Sequence, residues 1–283
     1  MKTILTCTDG SLYAPSVYQH AAWAAERLNA RISILHMLNP HHEHPVAADY
    51  SGSIGFGAKS GLLDELVRLE EANAKIAQKR GQAILEDAEA VLRAAGAEAV
   101  ESMQKHGKLS EEISTYERDA DLVVIGKRGN NANFEKGHLG SNLERVIRSC
   151  AHPVLVASRE FVQPQEYLLA YDGGPSSSRA LRYCIEEPLL AGLKCHLICV
   201  SPSDELTSQS SEAFAQLESA GITVSKTLLQ GSPVEALADY IQSHPIGLVV
   251  MGAYSHSHLR TLFVGSTTSR ILISVRHPML LFR

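Results

Sequence analysis

The sequence predicts an α/β protein made of two tandem doubly wound domains, each a five-stranded parallel sheet flanked by helices. Three observations lead there. Short aliphatic runs such as Leu122-Val-Val-Ile125 and Leu248-Val-Val-Met251 lack alternation, as strands buried on both faces do. These runs alternate with helix-like stretches, and strand–helix alternation implies parallel strands joined by crossovers. Finally, landmarks recur in one order along the chain. Thr8-Asp9-Gly10-Ser11 corresponds to Tyr171-Asp172-Gly173-Gly174, and Leu35-His-Met37 to Ile198-Cys-Val200, at the same offset. Gly107-Lys-Leu-Ser-Glu-Glu-Ile113 then corresponds to Gly231-Ser-Pro-Val-Glu-Ala-Leu237, and Pro153 to Pro278. Five landmarks in one order mark an internal duplication.

Taken in order, the first copy has strands near 2–7, 32–38, 98–103, 121–125 and 153–157, with helices near 14–28, 66–95, 109–118 and 141–149. The second has strands near 167–171, 195–200, 222–228, 247–251 and 278–282, with helices near 176–191, 211–220, 233–243 and 266–274. Gly173-Gly174-Pro-Ser-Ser-Ser178 reads as a turn and a helix start. The offset shrinks after the second strand, so the first copy carries roughly 38 extra residues there. The domains are therefore expected at 1–160, with an insert at about 40–75, and at 161–283, joined by a polar linker near 158–166 that holds Pro164 and Gln165. A length of 283 residues and 45% hydrophobic content allow two buried cores.

Composition excludes several functions. A net charge of −5 argues against nucleic-acid binding, which needs a basic face. No apolar run approaches the length of a membrane helix. Met1-Lys-Thr-Ile-Leu-Thr-Cys-Thr-Asp9 does not read as a signal peptide. Five cysteines, odd in number and without a Cys-x-x-Cys, read as buried free thiols in a reducing cytoplasm.

The chemistry is expected in two loops. Gly126-Lys-Arg-Gly129 is followed by ten residues and then Gly140-Ser141-Asn142. Gly252-Ala-Tyr-Ser255 is followed by nine residues and then Gly265-Ser266-Thr267. Glycines let backbone amides approach an anion. Ser141 and Ser266 stand where helices begin, able to cap them or to donate to a phosphate beside the free N–H groups. In an open parallel sheet, ligands bind beyond the carboxyl ends of the strands where the chain order reverses. Asp9 and Asp172 stand just past such ends, where a carboxylate can accept from ribose hydroxyls. Neither loop is a Walker loop or a Gly-x-Gly-x-x-Gly turn.

A strand-end Asp, a Gly-x-x-Gly, nine residues, Gly-Ser/Thr and a closing His-Pro strand resemble the universal stress protein family, here as a tandem pair covering nearly the whole chain. The resemblance implies the strand order 3-2-1-4-5 in each domain and, in many members, ATP or another adenine nucleotide, with or without Mg. It places Asp172 against the adenosine, the Val200 backbone at the adenine edge, and Gly252, Ser255, Gly265, Ser266 and Thr267 around the phosphates. The matching residues of the first copy are Asp9, Met37, Gly126, Gly129, Gly140 and Ser141. Each copy departs from the pattern. The first has ten intervening residues and a carboxylate, Glu144, in the first helical turn, with Lys127 and Arg128 at hand to compensate. The second has Ser255 in place of a glycine. The second copy ranks ahead as the working site.

Other features have plainer readings. His41-His42-Glu43-His44 reads as a solvated loop, because adjacent ligands wrap one ion poorly. The Gly/Ser-rich Tyr50–Gly57 stretch suits a lid or an oligomer contact. His138, His256 and His258 read as loop histidines. The helix carrying Leu62, Leu63, Leu66, Leu69, Ala72, Ile76 and Ala77 has either a core face or a homodimer interface. The two domains are expected to pack through their final strands as two subunits would. Three functions stay open: a cytoplasmic stress-response sensor or regulator that binds an adenine nucleotide and an unnamed protein partner, a slow ATP hydrolase, and a nucleotide-free scaffold.

Overall fold

The computed structural model describes residues 1–38, 56–129, 141–253 and 267–283. The first half runs β1 (Lys2–Thr8), α1 (Ala14–Leu28), β2 (Ala30–Leu38), α2 (Phe56–Ala94), β3 (Val100–His106), α3 (Leu109–Tyr116), β4 (Leu122–Gly126), α4 (Ser141–Ser149) and β5 (Val154–Ala157). The second half runs β6 (Glu166–Ala170), α5 (Pro175–Glu186), β7 (Lys194–Val200), α6 (Asp204–Ser219), β8 (Val224–Leu229), α7 (Pro233–Ser243), β9 (Leu248–Gly252), α8 (Thr267–Ser274) and β10 (Met279–Phe282).

All ten strands lie in one sheet of order β3-β2-β1-β4-β5-β10-β9-β6-β7-β8. Each half has the expected 3-2-1-4-5 arrangement of parallel strands. The two five-stranded sheets meet through their final strands, as expected, and there they join into one sheet along an antiparallel seam, with Leu155 opposite Leu280, Val154 opposite Leu281 and Val156 opposite Met279. The reason is physical. β5 and β10 are buried throughout, and an unpaired edge on either would leave backbone N–H and C=O groups without partners. The outer edges are β3 and β8, which carry polar, partly exposed residues.

The seam also makes the cores continuous. On one face α1, α2, α5 and α6 supply Tyr18, Leu92, Leu181 and Leu217 to a core that includes Leu155 and Leu280. On the other, α3, α4, α7 and α8 supply Ile113, Ile147, Ile241 and Leu272 around Val154, Val156 and Met279. Polar ties cross between the halves: Arg27 donates to the carbonyls of Leu189 and Ala191, Lys2 pairs with Glu187, and Arg283 donates to the Arg148 carbonyl.

The largest boundary differences from the sequence reading fall in three helices. α5 stops at Glu186 and a short 3-10 turn spans Pro188–Leu190, because the residue before a proline is pushed out of the helical region. α6 begins at Asp204, where the Ser203 side chain accepts from Leu206 N at 3.1 Å and Asp204 and Glu205 occupy the first turn. α2 begins at Phe56, ten residues before the expected 66.

Candidate functional site

The chain order reverses between β1 and β4 and again between β6 and β9, so each half has a switch point at its carboxyl-terminal edge. The register sets the neighbours there. Thr8 stands opposite His36, and Cys7 opposite Ile125. Asp9 therefore follows β1 beside Met37, near the end of β2, and beside Gly126, the last residue of β4. In the second half Ala170 stands opposite both Ile198 and Met251, which brings Asp172, Val200 and Gly252 together in the same way.

Both aspartates sit in turns that the local sequence dictates. Gly10 and Gly173 follow them with φ of 66° and 73°, a conformation that favours glycine. Asp9 Oδ1 accepts from Ser11 N at 3.0 Å, and Asp172 Oδ1 accepts from Gly174 N at 2.9 Å; both are Asx turns, the carboxylate reaching the amide two residues on. Asp172 Oδ1 also accepts from Ser177 Oγ at 2.6 Å. Asp172 is exposed, and Asp9 is half-buried. The helix after the second strand overhangs each turn. A Cβ on Gly10 would stand 2.7 Å from Ile84 of α2, and Gly173 faces Gln209 and Leu206 of α6.

The glycines have distinct roles. A Cβ on Gly129 would lie 2.5 Å from Asp9 Oδ2, so this glycine opens directly onto the strand-end carboxylate. A Cβ on Gly252 would lie 2.8 Å from Ser177 N and 2.9 Å from Ser176 Cβ. The first turn of α5 thus packs on the end of β9 only because residue 252 has no side chain. Gly126 is less crowded, with Tyr13 Cβ at 3.2 Å and Val17 Cγ2 at 3.3 Å.

Met37 and Val200 are half-buried and pack against the core on the α3 and α7 face. Beyond Val200, Ser201 adopts φ of 46°; its Oγ donates to Gly231 O at 2.9 Å and accepts from Gly231 N at 3.1 Å. This lock fixes the backbone next to Val200. Ser141 heads α4, and Thr267 heads α8 and is exposed. Gly140, Ser255, Gly265 and Ser266 lie outside the described residues, as do His41–His44, His138, His256, His258 and the side chain of Asn142. Glu144 pairs with Arg148 at 2.9 Å, one turn along α4.

One side chain is placed otherwise than the sequence suggested. Lys127, read as a cation facing phosphate, is buried and donates to the Val275 carbonyl in the other half. Burial, with the charge of Arg128 added, pushes its pKa down to about 8. Other residues at this edge went unassigned in the sequence. His36 is buried with its Nδ1 2.9 Å from the Thr8 carbonyl, while Thr8 Oγ1 meets Tyr18 Oη at 2.8 Å. These contacts hold the end of β1 and depend on pairing, which a single-chain pattern does not display.

Among the described residues, no group of His, Cys, Asp or Glu could hold a metal ion, and no helix is long and apolar enough to cross a membrane. The two His–carboxylate pairs recorded among the described residues, His152–Glu117 and His196–Glu166, stand at amino-terminal ends of strands, away from the switch points. A cavity of about 610 Å³ opens between α5 and α6, lined by Tyr171, Arg182, Glu186 and Gln216 among others, but neither Asp172 nor Val200 lines it.

The chain matches the Universal stress protein family over residues 1–158 and 202–283. Universal stress protein Slr1230 of Synechocystis sp. is 38% identical over 291 residues, which span 100% of both chains. A universal stress protein of Mycolicibacterium smegmatis is 21% identical over 301 residues, covering 99% of this chain and 96% of its own. The crystal structure of a universal stress protein from Archaeoglobus fulgidus DSM 4304 superposes with a TM-score of 0.74 at 18% identity, covering 99% of this chain and 98% of its own. At that identity the likeness concerns the fold.

Proposed function

This chain belongs to the universal stress protein family, and we propose that it works in the cytoplasm as a stress-response regulator that binds an adenine nucleotide, ATP foremost, at the carboxyl-terminal edge of its sheet. The observation that carries this reading is the strand register, which aligns an aspartate, a β2 or β7 backbone edge and a terminal glycine at both switch points. In the second half, Asp172 accepts from the ribose hydroxyls through Oδ2, which has no recorded partner among the described residues, while Oδ1 is held by Gly174 and Ser177. The Val200 backbone, fixed by the Ser201–Gly231 lock, meets the adenine edge. Residues 252–267 surround the phosphates, with Ser255, Gly265, Ser266 and Thr267 facing them, and the start of α8 favours their charge. Mg, where present, neutralises the phosphates. The first half offers Asp9, Met37, Gly126 and Gly129 at its own switch point, with Gly140 and Ser141 the matching residues in sequence. Its Lys127 is occupied elsewhere, so the second half is the stronger site. Five buried free thiols suit a reducing compartment. Residues 1–160 and 161–283 serve as the two domains.

The test is to denature the purified chain and assay the supernatant for adenine nucleotides, then to measure melting with added ATP, with and without Mg. Ligand at about a hundred times its dissociation constant stabilises by about 2.7 kcal/mol. Asp172→Ala should abolish most of that gain, and Asp9→Ala should leave most of it. No co-purified nucleotide and no thermal shift would leave the nucleotide-free scaffold as the reading, which the Lys127–Val275 contact favours. Steady multiple-turnover release of ADP would instead make the protein a slow ATP hydrolase.

A further inference from the structure

We infer that the exposed stretch of α2 is the surface through which two copies of this chain pair, helix against helix and antiparallel. The two parts of α2 are built differently. From Ala77 onward the helix lies on its own domain, with Ala77, Leu85, Ala88 and Leu92 buried. Ahead of Ala77 it does not. Leu66, Leu69 and Ile76 are 36%, 56% and 65% exposed. Isolated exposed leucines need no explanation, but these fall in a pattern. Leu66, Leu69, Asn73, Ile76 and Arg80 follow the alternating three- and four-residue spacing of a coiled-coil seam. A single Asn within such a seam is a device that fixes register.

Charge decides the occupant. Asp64, Glu65, Glu70 and Glu71 fill the early part of the stretch, interrupted by Arg68, and Lys75, Lys79 and Arg80 fill the later part. None of them joins an ion pair recorded among the described residues. A helix acidic at one end and basic at the other complements a reversed copy of itself. With Leu66 opposite the partner's Ile76 and Leu69 opposite the partner's Asn73, the positions on one flank bring Glu65 beside the partner's Lys79, twice by symmetry, and Ala72 beside the partner's Ala72, while on the other flank Glu70 meets the partner's Glu70 once at the dyad. A parallel pair would stack acidic ends together and set Arg80 against the partner's Arg80. Antiparallel pairing also keeps the two sheets at opposite ends of the contact. The contact is isologous, so it closes at two copies.

A seam of roughly four helical turns is small among specific interfaces, so the full chain should be examined by sedimentation velocity from about 1 to 100 µM. The expected result is a concentration-dependent dimer. Leu69→Glu and Ile76→Glu lie at exposed positions and should leave far-ultraviolet circular dichroism, and the melting temperature at dilutions where the chain is monomeric, unchanged while weakening association at least tenfold. Glu65→Lys or Lys79→Glu alone should weaken it severalfold, and the two together should restore it to within about twofold. Ala72→Cys should cross-link between copies, and Lys79→Cys should not. A monomer at every concentration overturns the inference. So does a dimer indifferent to Leu69→Glu, or one in which Lys79→Cys cross-links as readily as Ala72→Cys.

Discussion

Lys127 leaves the end of β4, crosses the seam and donates to the Val275 carbonyl, with its ammonium buried between the halves. Burial, together with the neighbouring Arg128 charge, lowers its pKa from 10.5 to about 8, and the unfolded chain keeps the higher value. The sign follows from proton counting. Below pH 8 both states hold the proton, and the folded state bears the full cost of a desolvated ammonium. Between pH 8 and 10.5 the unfolded chain binds a proton that the folded chain has released, so stability rises with pH in that window. At about 1.4 kcal/mol per pH unit, the interval amounts to about 3 kcal/mol. Other groups act in the opposite sense. Burial pushes the Cys7 and Cys195 thiols up to about 12 from an ordinary 9.0, so stability present below pH 9 is lost as pH climbs toward 12. The measurement must therefore be a difference. Urea unfolding of the wild type and of Lys127→Met, each at pH 7 and pH 10.5, cancels the thiols and isolates the lysine. The wild type should gain about 3 kcal/mol relative to the variant across that range. Stability curves that stay parallel to within about 0.5 kcal/mol would refute a desolvated Lys127.

Two further outcomes rest on single contacts. Gly252→Ala drives a Cβ against the backbone of α5 at 2.8 Å, whereas Gly126→Ala meets its nearest atom at 3.2 Å; thermal unfolding should show about 2 kcal/mol lost in the former and under about 1 in the latter. Glu117 is buried and its carboxylate accepts from the amides of Ala151 and His152 at 2.9–3.2 Å; Glu117→Ala strands both donors and should cost about 3 kcal/mol in urea unfolding, with Glu117→Gln retaining part of it.

What the sequence disclosed was local. Leu122–Ile125 and Leu248–Met251 announce buried strands because both of their faces must be apolar, and Asp9 and Asp172 announce strand ends because Asp-Gly makes a turn. The early start of α6 has no periodic signal because Asp204–Ser210 is mostly polar and lacks an apolar stripe, although Ser203-Asp-Glu is a cap in plain view. The joining of β5 to β10 leaves no periodic trace: each strand reads as buried, and nothing in either run names its neighbour. The destination of Lys127 depends on that seam and so was hidden with it. Beside a glycine and an arginine it reads as a phosphate ligand, and only the partner carbonyl 148 positions away in the chain gives it another task. Likewise, Gly252 reads as part of an anion loop, and only the packing of α5 on β9 reveals a second reason for the missing side chain.

Because β5 and β10 run in opposite directions, the strands of one half point away from those of the other. Asp9 and Asp172 consequently face opposite rims of the molecule, separated along the strands by roughly 20 Å. A homologue that pairs two single domains in this way would carry identical rims. In a fused chain each rim can diverge alone, and the unequal loops at 126–142 and 252–267 are what such divergence leaves. The two switch points therefore open on opposite rims of one continuous sheet, and any contact between them runs through its ten strands.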